Sequence, residues 1–180
     1  QSSQAGVFTW APRSCRPRTG DRSAWSVGGG ADGSQLACGS DYPGETQTQL
    51  VYGPFSLEDA VSAKLAFYTW SNTQYQSDTI YWGASTDGIL FWGERDSGAD
   101  TSWRFKEFNL SCVPVWGTCT SFMGEPEVWI MFSFESDEVF NRSEGWYLDD
   151  ILLWKRTSWQ DSEDVTPPPL IDWEMRQRLE

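Results

Sequence analysis

The stretch GWYLDDILLW, Gly145 to Trp154, reads as a hydrophobic β-strand with two adjacent carboxylates, Asp149 and Asp150, in its middle. Side chains alternate across a strand. Strict alternation therefore puts Asp149 with Tyr147, Ile151 and Leu153, and Asp150 with Leu148 and Leu152. Either way one carboxylate is buried among apolar groups, where an unpaired charge costs several kcal/mol. Three escapes are open. A β-bulge would let Leu148 and Ile151 face inward together while both Asp side chains turn to the rim. Backbone N–H groups of a neighbouring loop would saturate one carboxylate. A bound cation would compensate both.

Working outward, the same period of two recurs. In VWIMFSFES, Val128, Ile130, Phe132 and Phe134 share one face, opposite Trp129, Met131 and Ser133. In AKLAFYTW, Ala63, Leu65 and Phe67 oppose Lys64, Ala66 and Tyr68, and in DTIYWGAST the repeat is Ile80, Trp82 and Ala84. Turn signals separate these runs: YPGET, TDG, DSGAD and EGW. Helical periodicity is nearly absent before residue 165. The pattern predicts an all-β fold, a two-sheet antiparallel β-sandwich of jelly-roll type, over residues 1–157. Within it, residues 1–45 are Gly- and Arg-rich, and WSVGGGADGS suggests a glycine-shaped loop or a bulged strand. Residues 158–180 form a tail whose triple proline favours an extended spacer.

At 180 residues and 16% aromatic content, twelve of them Trp, the chain can bury a sizeable core. No apolar run is long enough for a membrane-spanning helix. An opening QSSQAG without Met reads as a mature or trimmed chain, and the final Leu-Glu as a cloning remnant. The formal charge of −13 would repel a phosphate backbone, which argues against nucleic-acid binding. Basic residues cluster early, Arg13, Arg16, Arg18 and Arg22, whereas the last twenty residues are acidic, so head-to-tail electrostatic docking is one use for the two ends.

Four cysteines without CxxC spacing, in a chain with no His, argue for disulfides rather than zinc. Neighbour pairing, Cys15 with Cys38 and Cys112 with Cys119, closes the shortest loops and implies an oxidising, extracellular compartment. Sequons at Asn109 and Asn141 fit secretion to the medium or the cell surface.

The ordered runs GDRSAWSVGGGADGSQLACGSDYP, LVYGPFSLEDAVSAKLAFYTW, ASTDGILFWG, VWIMFSFESDE and GWYLDDILL resemble a β-sandwich module of secreted bacterial proteins. It is similar to the MAM-like, jelly-roll modules appended to immune-inhibitor-A-type metallopeptidases and to large subtilases, over about residues 7–156. The resemblance implies a sandwich lying outside a catalytic domain, secretion, and often a structural calcium. It does not imply proteolysis: HExxH and GxSxG are both missing from the sequence.

Calcium takes six to eight oxygens, so Asp149 and Asp150 would need help, with Asp78 and Asp137 as candidates. Without His, the usual general base and the Ser-His-Asp arrangement are lost. A glycosidase could run on two carboxylates, with Glu135, Asp137 and Glu138 of FESDE available, as a distant alternative. Aromatic platforms stack on sugar rings, and Trp70, Tyr75, Tyr81, Trp92 and Trp116 are the candidates for a carbohydrate-binding module. The leading expectation is a non-catalytic structural module that packs on other domains or on copies of itself, in a layer or filament. Leu170, Ile171 and Trp173 in the tail would be its interface.

Overall fold

The computed structural model describes residues 6–138 and 143–157. Two antiparallel sheets face each other. The first has five strands in the order β1 (Thr9–Arg13), β2 (Ser23–Gly29), β11 (Gly145–Thr157), β4 (Ala60–Asn72) and β7 (Ala99–Asn109). The second has four: β3 (Gln47–Phe55), β10 (Val128–Glu135), β5 (Thr79–Ser85) and β6 (Trp92–Asp96). A separate hairpin, β8 (Val113–Val115) and β9 (Thr118–Thr120), lies beside β6. The one helical turn among the described residues, α1, spans Gly30–Gly33.

The alternating runs supply the layer between the sheets. Leu65 and Phe67 of β4, Ile80, Trp82 and Ala84 of β5, and Ile130, Phe132 and Phe134 of β10 are all buried in one core. Rings from the two sheets meet edge to face, Trp146 on Phe132, Phe132 on Phe67 and Phe67 on Trp82, and within the first sheet Trp10 meets Trp146 in the same way. Such pairs add about 0.5–1.5 kcal/mol each beyond burial. The all-β sandwich expected from the period of two is the fold observed.

Of the two readings of the glycine-rich stretch, the bulged strand is the one observed. Ser23 to Gly29 is a fully buried interior strand whose register on β1 shifts between Thr9 and Ala11. Its glycines serve close approach: a Cβ on Gly29 would lie 2.6 Å from the Thr9 hydroxyl and 2.9 Å from the Ala11 methyl of the paired β1. A side chain there would push the edge strand away.

The acidic pair takes two of the three escapes together. The register of β11 on β4 shifts between Asp149 and Leu152, and Asp150 has φ of 48°. This is a bulge, and it lets Leu148 and Ile151 both pack on the core. Both carboxylates turn outward, onto residues 18 and 19. Asp149 accepts the backbone N–H of Arg18 at 2.7 Å and of Thr19 at 3.3 Å. Asp150 is ion-paired to the Arg18 guanidinium and accepts the Thr19 hydroxyl.

The segment between β1 and β2 thereby lies across the outer face of the five-stranded sheet. Under it, Trp25, Tyr147 and Trp70 stand side by side on β2, β11 and β4, all buried. The Cys15–Cys38 bridge ties the segment down. Arg13 donates to the carbonyls of Gly28, Gly33 and Leu36. With Arg16 ion-paired to Glu144, three of the four early arginines thus find partners within the sandwich. The acidic tail lies outside the described residues.

Candidate functional site

The β8–β9 hairpin turns through two residues, Trp116 and Gly117, with φ of 50° and 78°. Two successive left-handed residues are the type I′ geometry that matches strand twist, and it normally takes Asn-Gly or Gly-Gly. Gly117 suits it. A bulky L-residue in that region costs about 1–2 kcal/mol, yet Trp116 occupies it. Three features hold the turn. Val113 and Val115 pair with Thr120 and Thr118. The Thr118 hydroxyl donates to the Val115 carbonyl at 2.8 Å. The Cys112–Cys119 bridge closes the base, while Val113 plugs into the core.

The strained turn does not bury its tryptophan. Trp116 is 84% exposed, the most exposed large apolar side chain among the described residues. Its ring meets Trp92, with centroids 4.5 Å apart and planes 60° apart. Trp92 opens β6 opposite Ala84 and packs on the core with part of its surface. One indole is therefore anchored and the other is presented.

The loop leading into Trp92 is rigid for a reason legible in its STDG motif. Asp87 accepts the N–H groups of Ile89 and Leu90, both at 2.8 Å, and the Ser85 hydroxyl at 2.7 Å. These donors, Leu90 first, hold its carboxyl below the usual range. The loop projects Ile89 and Leu90, which are 80% and 60% exposed. Tyr81 fixes its far end by donating to the Phe91 carbonyl at 2.8 Å, and burial pushes the Tyr81 hydroxyl up to about 12.

Of the five aromatic candidates, the structure brings Trp92 and Trp116 together. Tyr81 spends its hydroxyl on the loop. Tyr75 is 71% exposed but precedes β5, at the other end of the β5–β6 pair, beside Gly98. Trp70 is no platform at all: it is 3% exposed, beneath the Arg16 guanidinium and against Tyr147. Alternation does put it on an outer face; the segment folded over that face takes it out of solvent.

The four candidate calcium ligands are not gathered. Asp78 is fully buried, where it accepts the Tyr42 hydroxyl and the N–H groups of Gln74 and Asp137. Burial and that bond to Asp78 push the Tyr42 hydroxyl well up. Asp149 and Asp150 are engaged with Arg18 and Thr19 on the outer face of the other sheet. Among the described residues, no three His, Cys, Asp or Glu side chains are placed to share a metal ion. Glu135, Asp137 and Glu138 follow one another off the end of β10, where the Asp137 N–H contributes to the seat of Asp78. Both disulfides form as spaced. Leu170, Ile171 and Trp173, the interface candidates, lie outside the described residues, as does Asn141. Asn109 is exposed at the end of edge strand β7.

No protein-family model matches the sequence, and no curated protein does. Among solved structures the chain is similar to TmCBM61 in complex with β-1,4-galactotriose, at 12% identity and TM-score 0.43, covering 77% of this chain and 74% of that one. It is similar also to a family 16 carbohydrate binding module-2, at 11% identity and TM-score 0.42, covering 82% and 86%. Likeness at this level carries no argument about activity. The two-sheet sandwich is the part of the expected resemblance that the structure bears out; kinship with MAM-like modules is not shown. No helix among the described residues is long and apolar enough to cross a membrane.

Proposed function

We propose that this chain is a non-catalytic, extracellular β-sandwich module that binds carbohydrate on the Trp116–Trp92 pair. The observation that supports the reading is a mismatch of cost and reward. Trp116 sits in an unfavourable backbone region, held by a disulfide, and buries almost none of its ring. Stability alone would favour Asn or Gly there. Strain retained at a rigid, exposed position is the mark of a functional residue, and an indole face suits the polarised C–H groups of a sugar.

The test is a titration of the folded chain with soluble glycans, followed by Trp fluorescence, in the native protein and in Trp116→Ala. Binding that disappears in the variant supports the reading. If no glycan perturbs the native protein, or if the variant binds equally well, the reading fails.

A second reading, packing on another domain or on a copy of the chain, draws support from the exposed Ile89 and Leu90. Its test is the association state of the Ile89→Ser/Leu90→Ser variant.

A further inference from the structure

Resting on that carbohydrate reading, we infer that the Trp92–Trp116 notch takes a single uncharged sugar, at a chain end or a branch, and not a flat polysaccharide surface or a polyuronate. The ring geometry carries the first half. Rings that bind a packed, flat array must lie in one plane, so that each stacks on the same face of the ligand. Here the planes differ by 60°. Only one indole at a time can lie against such a face, and the other then juts toward it or turns from it. The centroid spacing points the same way. At 4.5 Å the two rings touch each other and are closer than successive sugars of a chain. They therefore address one sugar unit, with one indole under its face and the other at its edge.

Anchoring fits that division of labour. Trp92 is fixed by the core and by the Asp87 loop, so the wall of the notch is preorganised. Trp116 supplies the open face. A one-sugar contact of this size binds with a dissociation constant on the order of a millimolar.

Charge carries the second half. From Ser111 to Gly124 no residue is ionisable apart from the two bridged cysteines, so the hairpin bearing Trp116 offers hydroxyls, peptide groups and rings but no cation. In β6, Glu94 and Asp96 outnumber Arg95, Asp96 is ion-paired to Lys106, and Asp87 has its carboxylate filled by loop donors. The chain as a whole carries −13. A polyuronate would meet long-range repulsion, and the hairpin that presents Trp116 has no guanidinium or ammonium to compensate its carboxylates.

The experiment uses the full chain and a ladder of probes: methyl glycosides of glucose, galactose, mannose and xylose, their linear oligomers from dimer to hexamer, microcrystalline cellulose and polygalacturonate. For the sugar that binds, the monosaccharide and hexamer should agree within about twofold per chain end, and Trp116→Ala should weaken both about tenfold. Cellulose and polygalacturonate should retain nothing. Affinity that climbs more than about tenfold along the ladder, or retention on either polymer, with Trp116 still required, overturns the single-sugar inference and leaves the carbohydrate reading standing. Silence across every probe, or binding indifferent to both Trp116→Ala and Trp92→Ala, overturns the two together. Circular dichroism of the variants guards against misfolding, since Trp116 contributes almost nothing to the core.

Discussion

The guanidinium carbon of Arg16 lies 3.9 Å from the centre of the Trp70 ring, while the same group forks onto both carboxylate oxygens of Glu144. Trp70 is a face-exposed position by alternation that becomes interior because an arginine covers it. Arg16→Ala should therefore lower stability by about 1–2 kcal/mol, the sum of a partly desolvated cation–π contact and lost stem packing. Arg16→Lys keeps the charge and loses the fork, so it should recover less than half. Urea midpoints at constant slope would check both.

The Arg16–Glu144 pair also sets an acid dependence. Its hydrogen bond from Arg16, and then the nearby positive charge, hold the Glu144 carboxyl below its ordinary value of 4.5, with burial opposing. A depressed folded value means stability that is present above pH 4.5 and is lost as pH falls through the folded value. The difference in stability between the native chain and Glu144→Gln should thus be steady near neutrality and shrink below pH 4.5. Denaturation across an acid pH series measures it.

On the alkaline side the sign reverses. Tyr81 is pushed up by burial to about 12, and Tyr42 and Tyr147 are also raised, burial again first. A raised folded value gives stability that is complete below the ordinary 10.0 and declines as pH rises through the folded value. Ultraviolet titration should show these three of the six tyrosines ionising only as the chain unfolds.

Asp149 saturates two backbone N–H groups of the covering segment. Asp149→Ala would strand them and should cost about 2–3 kcal/mol; Asp150→Ala, whose partners are partly solvated, should cost about 1 kcal/mol or less. Because protein donors already fill these oxygens, calcium should not raise the melting temperature, and EDTA should not lower it. A calcium-dependent shift would show that the ion binds the native state.

The two disulfides should separate by location. Closing the Cys15–Cys38 loop contributes about 3.5 kcal/mol on the chain-entropy relation and the shorter Cys112–Cys119 loop about 2.5 kcal/mol. The first holds a segment of the main sandwich, so Cys15→Ala/Cys38→Ala should lower the global midpoint. The second closes a peripheral hairpin. Cys112→Ala/Cys119→Ala should leave the main transition little changed but release Trp116, seen as loss of hydrogen-exchange protection confined to residues 113–120.

Much of this was readable from residue order alone. Alternation places Ile130 with Phe132, Leu65 with Phe67 and Ile80 with Trp82, each pair on one face of its strand, because a strand's two faces are fixed by backbone geometry. That these faces close on one core is shown by the fold. The cysteine pairing followed from loop length. The difficulty at Asp149 and Asp150 was likewise visible, since two adjacent acids cannot both avoid the core in an unbroken strand. What covers each outer face was decided only in three dimensions. Residues 13–22 settle over Trp25, Tyr147 and Trp70 through contacts with Glu144, Asp149 and Asp150, more than a hundred positions away in the chain. Burial of an outward-facing ring depends on such distant chain segments, and so does the meeting of Trp92 with Trp116. Local pattern carries no trace of either, which is why Trp70 and Trp116 look alike in the sequence and end in opposite surroundings.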